Sequence, residues 1–299
     1  MTSFPPPCRP SPLPPALAEL DRTAVMGICN VTPDSFSDGG RYMELVAALD
    51  HCDQMLAEGA DLIDVGGEST RPGAPRVEEG EELRRVIPVV KELADRAVTV
   101  SVDTMRASVA SAAVQAGAAM INDVSGGLAD PDMFNAVAAA GVPVVLTHWR
   151  GHSIGMDGLD RYDDVVAEVV TELSRRAEAA QEAGIDPSRI VLDPGLGFAK
   201  TGASNWPLLA SLDRLGELGF PLLVGASRKR FLDSASPGPG GVGPGPDGRD
   251  PATAALTTVA AAQGAWCVRV HAVAANAAAV RVIGAIREHD LSRSGQVVL

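Results

Sequence analysis

Short apolar runs that end on an acid, an amide or a histidine recur along this chain at similar spacing. The sharpest is Ile190–Lys200, IVLDPGLGFAK, where three apolar residues run into Asp193 and then into Pro194, Gly195 and Gly197. A run of this kind stopped by turn residues predicts a strand buried on both faces, with Asp193 fixed where it ends. Taken alone, that acid reads equally well as a turn cap or as a functional carboxylate. The recurrence decides how to read it, because each run is followed by helical spacing.

Val25–Asn30 precedes Met43–Gly59, whose apolar positions Leu45, Val46, Leu49, Cys52, Met55 and Leu56 share a face. Leu62–Val65 precedes a helix over Glu78–Arg96, and Val98–Asp103 an Ala-rich helix closing at Gly117. Ala119–Asp123 precedes Pro131–Ala140, and Val142–His148 precedes Asp160–Ala183. Ile190–Asp193 leads to Trp206–Leu218, Pro221–Ser227 to Pro251–Gly264, and Cys267–His271 to Ala272–His289. Strands that are apolar throughout are parallel and covered by helices. Eight such units with right-handed crossovers predict an α/β fold, a single-domain (β/α)8 TIM barrel. An open doubly wound sheet is the alternative, but no GxGxxG follows the first strand to support it. Residues 1–19 hold seven prolines before Ala16 and read as a disordered or extended tail. The barrel then spans 20–291 and a C-terminal tail 292–299, with Ser236–Asp250, SPGPGGVGPGPDGRD, as a mobile excursion in the seventh βα region.

At 299 residues and 46% hydrophobic content the chain can bury the core of one such barrel. A formal charge of −13 argues against nucleic acid or an acidic membrane as partner, while leaving room for a small anion if basic groups gather locally. Cys8, Cys29, Cys52 and Cys267 are scattered without CxxC spacing, so reduced thiols and a cytoplasmic location are expected. No window reaches the roughly 18 apolar residues of a membrane helix, and the N-terminus lacks the order of a signal peptide.

Candidate chemistry sits at the strand ends: Asn30, Asp64, Asp103, Asn122, Asp123, His148, Asp193, Ser227, Arg269 and His271. In a barrel these ends share one face, so residues distant in sequence converge there. Asp103, Asn122 and Asp193 offer acceptors and one amide, which suits a flat heterocycle with adjacent N–H groups such as a 2-amino-pyrimidinone. Lys229, Arg269, His271 and Arg71 supply positive charge for an anion, three of them near the seventh and eighth strand ends where barrels often hold phosphate. The amide oxygen of Asn30 could join Mg²⁺ to phosphate oxygens. Residue by residue, the chain points to a heterocycle carried with a diphosphate.

Seven stretches, in order, resemble the dihydropteroate synthase family: NVTPDSFSDGG (Asn30–Gly40), IDVGGESTRPG (Ile63–Gly73), SVDT (Ser101–Thr104), INDVSG (Ile121–Gly126), DPGLGFAK (Asp193–Lys200), GASRKRF (Gly225–Phe231) and RVH (Arg269–His271). The resemblance covers nearly all of Val25–Arg287. It implies a (β/α)8 enzyme of folate synthesis that joins 4-aminobenzoate to a 6-hydroxymethyl-dihydropterin diphosphate, releases pyrophosphate, needs Mg²⁺ and is a sulfonamide target. A cytoplasmic homodimer is implied as well.

Carried over, the resemblance implies that Asp103, Asn122 and Asp193 bind the pterin edge, that Lys229 reaches its carbonyl and N5 region, and that Phe198 and Arg269 line its ring. Asn30, Arg269 and His271 would hold the diphosphate, with Asn30 also on the metal. Phe36 and Asp38 on the first loop, and Thr70, Arg71 and Pro72 on the second, would close over the site and shape the aminobenzoate pocket, with Ser227 at its carboxylate. Asp38, Lys229, Arg269 and His271 would act in an SN1-like displacement, Asp38 stabilising the pterin cation. One departure is Ala272, where the family usually has Asp after the histidine, so an acid that would brace His271 is missing. A methyltetrahydrofolate-using methyltransferase shares the pterin barrel, and a non-catalytic pterin binder is the other rival. The STRPG and SRK stretches argue against the first, and intact NVTPDSF and STRPG against the second.

Overall fold

Valine, isoleucine and leucine fill the strands because both faces of each are covered, one by helices and one by the barrel interior. The computed structural model describes residues 4–31, 40–68, 76–152, 156–236 and 243–294. Its strands are β1 (Ala24–Asn30), β2 (Leu62–Gly66), β3 (Val100–Asp103), β4 (Met120–Asp123), β5 (Val144–Thr147), β6 (Ile190–Asp193), β7 (Leu223–Val224) and β8 (Cys267–Val270). Neighbours pair in parallel in the order β6-β5-β4-β3-β2-β1-β8-β7. The gap between β6 and β7 is narrowed by a single bridge from Leu192 to Leu222, with Leu192 N donating to Pro221 O at 2.9 Å. The eight parallel strands thus form a nearly closed barrel, not the open doubly wound sheet.

Register is what brings the polar strand ends level. Asn30 faces Gly66, Gly66 faces Asp103, Asp103 faces Asn122, and Thr147 faces Asp193 across adjacent strands. Outside the strands lie α2 (Gly40–Glu58), α3 (Glu79–Asp95), α4 (Ala107–Gln115), α5 (Met133–Ala140), α6 (Val165–Glu182), α7 (Gly202–Ala210), α8 (Leu212–Gly216), α10 (Asp250–Ala262) and α11 (Val273–Ser294). Two expected boundaries shift. The helix expected from Asp160 starts at Val165, capped by Asp164, because Asp160 instead binds Thr201 N at 2.8 Å and Ser204 Oγ at 2.6 Å at the start of α7. The helix expected over Trp206–Leu218 starts at Gly202 and breaks at Ser211. No helix among the described residues is long and apolar enough to cross a membrane.

The N-terminal segment corrects the expectation of a disordered tail. Over residues 4–19 it is built: a short helix, α1 (Pro15–Ala18), puts Leu17, 1% exposed, against Met26, Leu62, Met120, Val145, Val191, Leu223 and Trp266. Ser11 N donates to Ser188 O at 2.7 Å. These apolar residues lie at or near the strand starts, so without the segment the bottom of the barrel would face water. Prolines, with φ already fixed, lose little entropy in closing it. Leu17→Ala should cost about 2 kcal/mol, the low end for a buried leucine, since a segment on the rim can partly collapse. Urea denaturation measures this, with the substrate KM values of the folded variant unchanged.

The described part of the seventh-loop insert also has structure. After 237–242, which lie outside the described residues, a helical turn α9 (Gly245–Gly248) leads to Arg249, whose guanidinium bonds both oxygens of Asp233 at 2.7 and 2.9 Å. Arg228 is held likewise by Asp250, at 2.8 Å to each oxygen. The excursion is therefore clamped at its C-terminal root.

Candidate active site

A cavity of about 900 Å³ opens at the C-terminal ends of the strands, and Asn30, Asn122, Asp193, Phe198, Ser227, Lys229, Arg269 and His271 all line it. Five strands and their loops bring together eight of the residues expected there. Phe36, Asp38, Thr70, Arg71 and Pro72 lie outside the described residues.

The turn after β6 is built by glycine. Gly195 has φ +65° and a Cβ there would sit 2.1 Å from the carbonyl oxygen of His148, so no other residue fits without moving backbone. Gly195 N then donates to Asp193 Oδ1 at 2.7 Å and leaves the second carboxylate oxygen for other work. Gly197, φ +75°, lets the Lys229 stem cross it, since a Cβ would come 2.8 Å from Lys229 Cδ. Lys229 Nζ lies 4.4 Å from the centroid of Phe198 and donates to Leu196 O. Burial pulls the Lys229 ammonium down to about 8 against the attraction of Asp193. Burial likewise pushes the Asp193 carboxyl up, with Lys229 opposing.

Arg269 organises the opposite wall. Its Nε donates to Asp64 Oδ2 at 2.6 Å and its Nη2 to Asp103 Oδ2 at 2.8 Å, while Asn122 Nδ2 donates to the same Asp64 oxygen at 3.0 Å. Burial opposes the Arg269 charge, but Asp64 and Asp103 outweigh it and hold the guanidinium above its ordinary value. Asp103 is pushed up to about 7 by burial, with Arg269 pulling down and Asp64 pushing up. Asp103 therefore sits beneath Arg269 and does not itself line the cavity. Asp64, one of the strand-end candidates, holds the arginine and amide of the site. Asp123 holds its own loop: it accepts from Ser125 N at 2.8 Å, Ser125 Oγ at 2.6 Å and Gly127 N at 2.5 Å.

His271 is braced despite Ala272. Ser227 Oγ lies 2.9 Å from His271 Nδ1 and accepts from His271 N at 3.1 Å. With the Ser227 hydroxyl donating, Nδ1 is the acceptor and Nε2 keeps its hydrogen, a tautomer assigned from the partners. The missing acid is thus replaced by a hydroxyl from the end of β7, and Ser227 is engaged with His271 as well as facing the cavity.

The wall that carries neutral and acidic acceptors can take the N–H edge of a heterocycle, and the wall of Lys229, Arg269 and His271 can take an anion. A model of the pterin binding enzyme family matches residues 26–271. The chain belongs to the pterin binding enzyme family. Within it, the chain is 54% identical over 262 residues to the dihydropteroate synthase of Mycobacterium leprae, covering 87% of this chain and 92% of that one. The solved structure of Xanthomonas albilineans dihydropteroate synthase with 4-aminobenzoic acid is 49% identical, with TM-score 0.81 over 89% of this chain and 94% of that one. That of Yersinia pestis dihydropteroate synthase with a sulfonamide drug complex is 42% identical, with TM-score 0.83 over 93% and 98%. The family member described here is an enzyme, a transferase of the dihydropteroate synthase group.

Neither Lys200 nor Glu172 was assigned a role from sequence, and both belong to the site's support. Lys200 lies in the recognisable DPGLGFAK stretch, but its partner His148 stands 52 residues away. Glu172 is one acid among several on α6, and no sequence signal distinguishes it.

Proposed function

We propose that this chain joins 4-aminobenzoate to a 6-hydroxymethyl-7,8-dihydropterin diphosphate, giving 7,8-dihydropteroate and pyrophosphate. One observation carries the reading: Asp193 and Asn122 face the same cavity as Lys229, Arg269 and His271. The pterin edge fits the first pair, and a diphosphate fits Lys229, Arg269 and the Nε2–H of His271. The CH₂–O bond breaks with its electrons leaving on the diphosphate, and the amine nitrogen of aminobenzoate forms the new C–N bond and sheds a proton. Arg269 and His271 stabilise the departing anion, which is the largest contribution this site can make. Free arylamine is already a nucleophile, so the reaction needs no strong base.

Among the described residues no three His, Cys, Asp or Glu side chains gather in a metal-binding group. The donor chemistry at Asn30, a neutral amide oxygen on the cavity wall, fits Mg²⁺ held mainly by substrate oxygens and water. When bound, that ion would supply further charge for the leaving diphosphate. Purified protein with Mg²⁺ should form dihydropteroate and an equal amount of pyrophosphate, and a sulfonamide, the class of drug bound in the Yersinia pestis structure, should compete with aminobenzoate. Methyl transfer to a corrinoid protein without pyrophosphate would overturn the proposal.

A further inference from the structure

The turn after β6 carries Phe198 into the cavity and offers Gly195 N to Asp193, and the group that ties it down has no part in the chemistry above. Lys200 is 5% exposed. Its Nζ donates to His148 Nδ1 at 2.8 Å, to Gly195 O at 3.1 Å and to Phe198 O at 3.1 Å. An ammonium has three N–H bonds, and here each has an acceptor. His148 accepts through Nδ1 only as the tautomer with hydrogen on Nε2, and Nε2 meets Glu172 Oε2 at 2.8 Å. Glu172 is held in turn by Arg150. A chain of hydrogen bonds therefore runs from the turn to α6.

We propose that Lys200 is a positioning residue for the pterin site, its three donors fixing the turn so that Asp193 and the Phe198–Lys229 pair keep the spacing the pterin requires. The inference rests on the reading in the previous subsection and deepens it. The groups facing Lys200 are His148 beyond β5, Glu172 on α6, Arg150, Asp160 and Tyr162 between them, Asp193 on β6, and Lys229 after β7. Burial first, then Lys229, brings the Lys200 ammonium down to about 7. Burial and the Lys200 charge bring His148 down to about 4, so His148 stays a neutral acceptor throughout the range in which Lys200 titrates. As pH rises through about 7, Lys200 loses one donor and with it one of its three hydrogen bonds, two of which hold the turn while the third reaches His148.

The test is the KM for the pterin diphosphate as a function of pH in wild type, Lys200→Met and Glu172→Gln. Lys200→Met should raise that KM about tenfold at pH 6.5, the loss of roughly one charge-assisted bond. It should leave the KM for aminobenzoate near wild type. It should also shrink the rise in pterin KM near pH 7 to the part that Asp103 contributes, while keeping the step near 8 that belongs to Lys229. Glu172→Gln, at the half-exposed end of the chain, should raise the pterin KM severalfold and blunt the same step. A Lys200→Met enzyme with wild-type pterin KM and pH profile would overturn the inference. If that variant does not fold, unchanged pterin KM and pH profile in Glu172→Gln would overturn it instead. Absence of dihydropteroate formation by wild type would strike the proposed function, whereas an active wild type with indifferent variants strikes only Lys200.

Discussion

Arg269→Met should lose about 3–5 kcal/mol of stability, the cost of leaving buried charges without their partner, along with the activity. The guanidinium bonds Asp64 at 2.6 Å and Asp103 at 2.8 Å, and both acids are buried. Asp64 Oδ1 is already buried without a hydrogen-bond partner among the described residues, so the arginine is what makes that carboxylate tolerable. Methionine fills much of the volume, and the loss would therefore report charge more than cavity. Urea denaturation of the single variant and of Arg269→Met with Asp64→Asn separates the two roles. The double variant should regain a large part of the stability and none of the dihydropteroate-forming activity. A single variant as stable as wild type would mean that the pairing contributes nothing net to folding.

Asp193→Asn should weaken pterin binding by up to about 3 kcal/mol, more than a hundredfold, with the fold intact. The amide oxygen can still accept from Gly195 N, which wild-type Asp193 does at 2.7 Å, so the turn is kept. The other oxygen becomes an NH₂ that would face a ring N–H, turning an attraction into a repulsion. Calorimetry with a pterin measures this directly. Unchanged affinity would reduce Asp193 to the turn cap that its position at the end of an apolar run equally allows. The comparison with Lys200→Met is instructive, since that variant perturbs the same turn from behind and leaves the carboxylate in place.

Much of the fold was legible because its causes are local. An apolar run stopped by Pro194 and Gly195 needs no distant partner to end a strand, and 3.6-residue spacing reports which helix face is covered. Once eight such units are counted, barrel geometry alone sends Asn30, Asn122, Asp193 and Arg269 to one face. The resemblance to a known family then supplied roles for them that spacing could not. What the local pattern misread was set by contacts made elsewhere. Seven prolines before Ala16 look like a tail until the open bottom of the barrel offers Leu17 a place. Asp160 looks like the start of a helix until Thr201 and Ser204 compete for it.

The sequence by itself thus determined the strand-and-helix order, the class of fold and which side chains stand at the strand ends. Only the tertiary structure decided how those side chains spend their charge and hydrogen bonds. Arg269 lies across Asp64 and Asp103, 205 and 166 residues away, so Asp103 is covered by a cation where an exposed acceptor was expected. Ser227 braces His271 in place of the absent acid, and Lys200 finds His148 behind the pterin turn. Periodicity records whether a position is buried, but a buried charge is settled by whichever partner closure of the barrel brings within about 3 Å.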